Sequence, residues 1–121
     1  MGDMGRVTGR QVSEGTGTWA VVVNWNGGEE QNLRCLRSLI SQGLEPGRII
    51  FVDNASRDGS RAAVESALPA LVFLDNDANL GFGEAANQGA RWALEEGADA
   101  VFFVNNDLRL EEGDGCLAGL E

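Results

Sequence analysis

Val101–Leu108 reads VFFVNNDL. Four apolar residues, rich in Val and Phe, run straight into Asn105, Asn106 and Asp107. An apolar run of this kind predicts a strand buried on both faces, as in a parallel sheet. A turn explains one or two polar residues at its end. Three in a row raise the question of whether other strands stop the same way.

They do. Thr18–Trp25 (TWAVVVNW) predicts a first strand, broken by Gly27 and Gly28. Glu29–Gly43 carries Leu33, Leu36, Leu39 and Ile40 at helical spacing before its Gly stop. After the turn LEPG, Arg48–Asp53 (RIIFVD) predicts a second strand and Ser60–Leu68 a short helix ended by Pro69. Ala70–Asp75 is the third strand. Glu84–Gly97 is a helix with Ala86, Ala90, Ala93 and Leu94 on one side, and Ala98–Asn105 is the fourth strand. Strands alternating with helices predict an α/β fold: a parallel sheet with flanking helices and right-handed crossovers. All four carboxyl ends then share one edge, where ligands of open α/β sheets bind. On that edge fall Asn24-Trp25-Asn26, Asp53-Asn54-Ala55-Ser56, Asp75-Asn76-Asp77-Ala78-Asn79 and Asn105-Asn106-Asp107. Four acid–amide clusters on one edge predict a polar ligand site.

Composition limits the ligand. The chain has 121 residues, a net charge of −10 and no His, and all its basic residues are Arg. A single domain of this size can bury roughly 65% of its unfolded surface. Its acidity disfavours nucleic acid. Cys35 and Cys116 have no metal-ligand spacing and read as free thiols of a reducing compartment, so a zinc site is not expected. No apolar stretch approaches the ~18 residues of a membrane span. Residues 1–17 read as a flexible leader rather than a signal peptide, and the expected location is cytoplasmic.

Carboxylates and amides without Lys or His suit a hard cation, Mg²⁺ or Mn²⁺, and a hydroxyl-rich ligand. A cation also answers the charge problem. A carboxylate ~4 Å from a phosphate repels it by about 4 kcal/mol at an effective dielectric near 20. Two rival motifs fail. GFGEAA (Gly81 to Ala86) partly fits a dinucleotide fingerprint but follows the third strand, with no strand-end acid ~20 residues on. Asp75-x-Asp77-x-Asn79 starts like a calcium loop, but Leu80 and Ala86 stand where Gly and Glu belong. A receiver-like regulatory domain would want a Lys near the acids, and the chain has none.

VVVNWNG with LRCLRSL, then FVDNASRDGS, NLGFGEAANQG and FFVNNDL, in that order, resemble glycosyltransferase family 2, in its bacterial rhamnosyltransferase-like branch. The resemblance spans Trp19 to about Leu110. It implies a GT-A, Rossmann-like fold and an inverting, metal-assisted transfer from a nucleotide-diphosphate sugar of UDP or dTDP type to a saccharide or lipid-linked acceptor. It implies that Val23 and Asn24 line the nucleoside pocket. Asp53 would bond the base, and Asn54, Ser56 and Asp58 would shape the adjacent loop. Asn79, Gly81, Phe82, Gly83 and Asn87 would close over the nucleotide and sugar. Asn105 and Asn106 would stand at the metal-binding motif, with Asp107 as the metal ligand. Residues 18–121 would then be only the N-terminal, nucleotide-binding half. The acceptor half and its general base would be missing, so that the chain alone turns nothing over. In a longer parent the domain would work at the inner face of the membrane. The alternative is a fragment that binds a nucleotide sugar without catalysis. An open sheet edge would also favour self-association.

Trp19, Trp92, Phe102 and Phe103 are expected in the core. Asp75 and Asp77 are expected as exposed turn residues. Arg57 and Arg109 lie near enough to the edge to touch phosphate.

Overall fold

A computed structural model describes residues 17–105. It has four strands, β1 (Thr18–Asn24), β2 (Ile49–Asp53), β3 (Val72–Asp75) and β4 (Ala100–Asn105). Three helices alternate with them: α1 (Glu29–Ser41), α2 (Ser60–Ala67) and α3 (Phe82–Glu95). A 3₁₀ turn, Pro46–Arg48, leads into β2. All pairings are parallel, and the strand order is β3-β2-β1-β4. The alternation expected from the sequence is present, with boundaries shifted by one or two residues.

Period-two alternation sorts the strands into two apolar layers. Ala20, Val22, Ile49, Phe51 and Val104 face α1 and α2, meeting Leu33, Leu36, Leu39 and Val64. Trp19, Val21, Val23, Ile50 and Val52 face α3, meeting Ala85, Ala86 and Ala93. Trp19 and Trp92 pack as a tilted pair with centroids 5.8 Å apart. Gly89 lets α3 approach closely, because a Cβ there would lie 2.5 Å from Val21 Cγ1.

Three expectations need correction. Only β1 and β2 are buried on both faces. β4 is a strand, as VFFV suggested, but among the described residues it is an edge, and Phe103 is exposed. The same apolar run suits either position, because a run does not record how many neighbours its strand has. Leu94 is also exposed; the buried face of α3 is Ala85, Ala86, Gly89 and Ala93. That face consists of the helix's smallest residues, and at Gly89 only a residue without a Cβ fits against Val21.

The sheet order reverses between β1 and β4. β1, β2 and β3 run outward with α1 and α2 on one face, and the chain then returns under α3 to the other side of β1. Such a reversal opens a crevice beyond the strand ends.

Candidate functional site

Asn24, Asp53 and Asp75 stand in register across the carboxyl ends of β1, β2 and β3. Asn105 ends β4 opposite Val23. Asn24 is wholly buried at the centre of a polar network. Its Oδ1 accepts from Gly27 N–H (3.0 Å) and from Asn32 Nδ2 (3.0 Å). The backbone donor fixes which end of the amide is oxygen. Its Nδ2 therefore points the other way, 2.8 Å from Asp53 Oδ1, 2.9 Å from Ser60 Oγ and 3.1 Å from Ser56 Oγ.

Asp53 is 4% exposed, and its other oxygen accepts from Ser56 N–H at 2.9 Å. A carboxylate has about four lone-pair positions, so these two bonds orient Asp53 and leave acceptor capacity. The loop after it is tightly specified. Ser56 Oγ accepts from Asn26 N–H, and Arg57 N–H donates to Asn26 Oδ1. Asp58 Oδ2 accepts from Gly28 N–H, while its Oδ1 accepts from the hydroxyl (2.6 Å) and N–H (3.0 Å) of Ser60. The Ser60 hydroxyl, before any other cause, holds the Asp58 carboxyl below the usual carboxylate range. Asn26 and Ala55 adopt left-handed backbone, at φ 54 and φ 65. Asn tolerates it; for Ala it costs about 1–2 kcal/mol, strain that the surrounding bonds hold in place.

A second chain of bonds runs toward α3. Asn54 N–H donates to the Asn24 carbonyl, and Asn54 Nδ2 to the Gly81 carbonyl at 3.2 Å. Asn79 Oδ1 accepts from Gly81 N–H. Gly81 caps α3 at φ 85, ψ 162, and Gly28 caps α1 at φ 83, ψ 157. This region is essentially open only to glycine. Both helices thus begin at the carboxyl edge without a side-chain cap.

The expected site residues divide by placement. Asn24, Asp53, Asn54, Ser56 and Asp58 meet in one network. Val23 and Asn24, expected as pocket lining, have buried side chains, Val23 in the apolar layer. Asn79, Gly81, Phe82, Gly83 and Asn87 are exposed where α3 begins. Asn105 is exposed, and its carbonyl lies 4.0 Å from Cys35 Sγ. Asn106, Asp107 and Arg109 lie outside the described residues. Asp75 is more than a turn residue: Arg61 grips it with Nε (2.6 Å) and Nη2 (3.0 Å). Sequence reasoning missed Asn32 and Ser60, both buried in the network. Asn32 had left a signal, since Asn32, Cys35, Leu36 and Leu39 form one helical stripe.

Exposed apolar side chains flank the edge: Trp25 just past β1, and Leu80 and Phe82 around the start of α3. Among the described residues no three His, Cys, Asp or Glu side chains group to hold a metal. No helix among them is long and apolar enough to cross a membrane.

A parallel α/β sheet with polar strand ends gathered beside its reversal point defines a Rossmann-like class of fold, in which ligands bind at that edge. The family profile described as glycosyl transferase family 2 matches residues 19–115. The chain belongs to that family, and its sheet with flanking helices is the GT-A, Rossmann-like fold. Among solved structures it is similar to the mannosyltransferase PcManGT from Pyrobaculum calidifontis, in complex with GDP-Man and Mn2+. That match has a TM-score of 0.61 and 20% identity, covering 78% of this chain and 28% of that one. A search of curated proteins finds no match.

Proposed function

We propose that the chain is the donor-binding part of a glycosyltransferase that uses a nucleoside-diphosphate sugar. The observation that carries this reading is the braced carboxylate of Asp53, set on the strand beside β1 at the crevice edge, in a chain of this family. Asn24 Nδ2 and Ser56 N–H fix its rotamer, so its free lone pairs can accept the N–H of a pyrimidine or guanine base at low entropic cost. Trp25 offers an exposed ring for stacking. Asn79, Gly81, Phe82, Gly83 and Asn87 close over the diphosphate and sugar, and Asn105, Asn106 and Asp107 serve as the metal-binding motif. The positive ends of α1 and α3 add favourable potential for a diphosphate at this edge.

Oxygen donors without Lys or His suit Mg²⁺ or Mn²⁺. In this proposal Asp107 holds the ion, which neutralises the diphosphate. The neighbour's Mn2+ is consistent with such an ion. The reaction is a direct displacement with inversion, by a hydroxyl of a saccharide or lipid-linked acceptor. No residue of this chain is assigned as its general base. Where turnover is measurable, Asp107→Ala is expected to lower it at least ~10²-fold, as for one lost preorganised electrostatic partner.

Calorimetric titration with UDP, dTDP, GDP and ADP, with and without Mn²⁺, tests the reading. Guanosine joins the pyrimidines because the solved neighbour carries GDP-Man. Mn²⁺-dependent binding of one nucleotide is expected. A folded chain that binds none of the four contradicts the proposal.

A further inference from the structure

Behind Asn54 lies a directional chain of amides that the site residues do not account for. The Gly81 carbonyl can only accept, and it takes both Ala85 N–H and Asn54 Nδ2. This fixes the Asn54 amide with its oxygen turned away, toward Asn76 Nδ2 at 2.9 Å. Asn76 must then present its own oxygen to a donor, and Gln88 Nε2 supplies one at 3.0 Å. Gln88 Oε1 closes the pair by accepting from Asn76 Nδ2 at 2.8 Å. Every amide end in the chain is thereby determined by one backbone carbonyl.

The two ends of the chain differ in rigidity. Gln88 is a helical residue next to Gly89, which is seated against Val21. Asn76 is fixed by its own N–H, which donates to the Asp53 carbonyl at 2.9 Å. Gly81 and its neighbours Leu80, Phe82 and Gly83 are exposed, and a Cβ at Gly81 or Gly83 would meet nothing within 4 Å. The chain thus runs from a packed helix face and the backbone of β2 to an open turn.

We propose that Asn76 and Gln88 are positioning residues for the donor. Through Asn54 they set the Gly81 carbonyl and hold the Asn79–Gly83 turn in place. The inference rests on the nucleotide-sugar reading, because it assigns that turn to the ligand. Neither residue touches the ligand in this proposal. Their effect is on the free protein, which without them would have to order the turn on binding.

The test compares Gln88→Met, which keeps length and loses the amide, with Arg61→Met, which loosens the far side of β3. The readouts on the full chain are affinity for UDP, dTDP, GDP and ADP with Mn²⁺, melting temperature, and amide exchange at Gly81, Phe82 and Gly83. Gln88→Met is expected to weaken nucleotide binding about 5- to 10-fold, the worth of one or two net hydrogen bonds, and to quicken exchange in the turn. Arg61→Met is expected to melt earlier while leaving both unchanged. If Gln88→Met does not fold, Gln88→Glu keeps the acceptor to Asn76, loses the donor, and should show a smaller weakening. Unchanged affinity in the folded variant, with or without faster exchange, overturns the proposal. Failure of the unaltered chain to bind any of the four nucleotides overturns the nucleotide reading itself, and this inference with it.

Discussion

Asp53 and Asp75 are register partners on neighbouring strands, and each ends its strand. In the sequence they look alike. In the fold they do opposite things. Asp53 sits beside the central strand, 4% exposed, held by an amide and a backbone N–H that leave it free acceptor positions. Asp75 sits on the outer strand, half exposed, paired through two bonds with Arg61. Arg61 also bonds Glu65 and lies over the Phe73 ring at 4.3 Å, so it fastens α2 to the sheet edge. At Asp53 the bracing partners are neutral and small and leave the carboxylate acceptor capacity. At Asp75 a guanidinium is in reach, and the acid becomes a structural clamp.

That contrast can be broken at several points. The largest effect is expected at Asn24, the hub that separates the two behaviours. Asn24→Ala leaves Asn32, Gly27 N–H and Asp53 without their shared partner inside the molecule. It should cost about 1–3 kcal/mol, as for removing one partner from a buried polar network. Chemical denaturation reads this directly, and a loss below about 1 kcal/mol would mean the network is not cooperative. Next comes Asp75→Ala. The pair is bidentate but exposed, so the expected loss is only ~0.5–1 kcal/mol, measured by the same method.

A third effect is one of pH. The Asp58 carboxyl is held below its ordinary range by the Ser60 hydroxyl, with the backbone N–H groups of Ser60 and Gly28 helping. A depressed folded-state value means stability that is complete above the unfolded carboxylate range, near pH 4. It is lost as the pH falls through the lower folded value. Melting curves of the unaltered chain and Asp58→Asn should therefore differ at pH 6 and converge as the medium becomes strongly acidic. A constant gap across that range would show that the carboxylate charge is not what the loop uses. The smallest effect is at Ala55, where Gly removes left-handed strain but adds unfolded-state freedom. Ala55→Gly should shift stability by less than about 1 kcal/mol.

Much of the scaffold was legible because it is written in local patterns. The β-branched runs gave the strands, the Leu spacing of α1 gave its inner face, and Gly and Pro marked most of the stops. Strand neighbours are not local. VFFV reads like the buried core of β1, yet among the described residues β4 is an edge with Phe103 exposed. Ala86 and Ala93 lie on the buried face of α3 as their spacing suggests, but Leu94 does not, and Gly89, which makes the close approach possible, meets a partner, Val21, that is distant in sequence. At the candidate site, the acids and amides could be gathered onto one edge from the sequence alone. Their division of labour could not, because it depends on which partner each meets. Asn32 was readable, as a polar residue inside an apolar stripe. The meeting of Gln88 with Asn76 left no trace in spacing, since a helix and a strand end come together only through the fold.

In the proposed function the edge beside Asp53 binds a nucleotide, while the edge at Asp75 only holds the sheet together. The most direct test is the nucleotide affinity of Asp53→Ala beside that of Asp75→Ala, by calorimetry with Mn²⁺ present. Asp53→Ala is expected to lose ten-fold or more, the ~1.5–3 kcal/mol of a hydrogen bond to a charged group, and Asp75→Ala to lose nothing. Equal losses in the two variants, or none in either, would contradict the proposal.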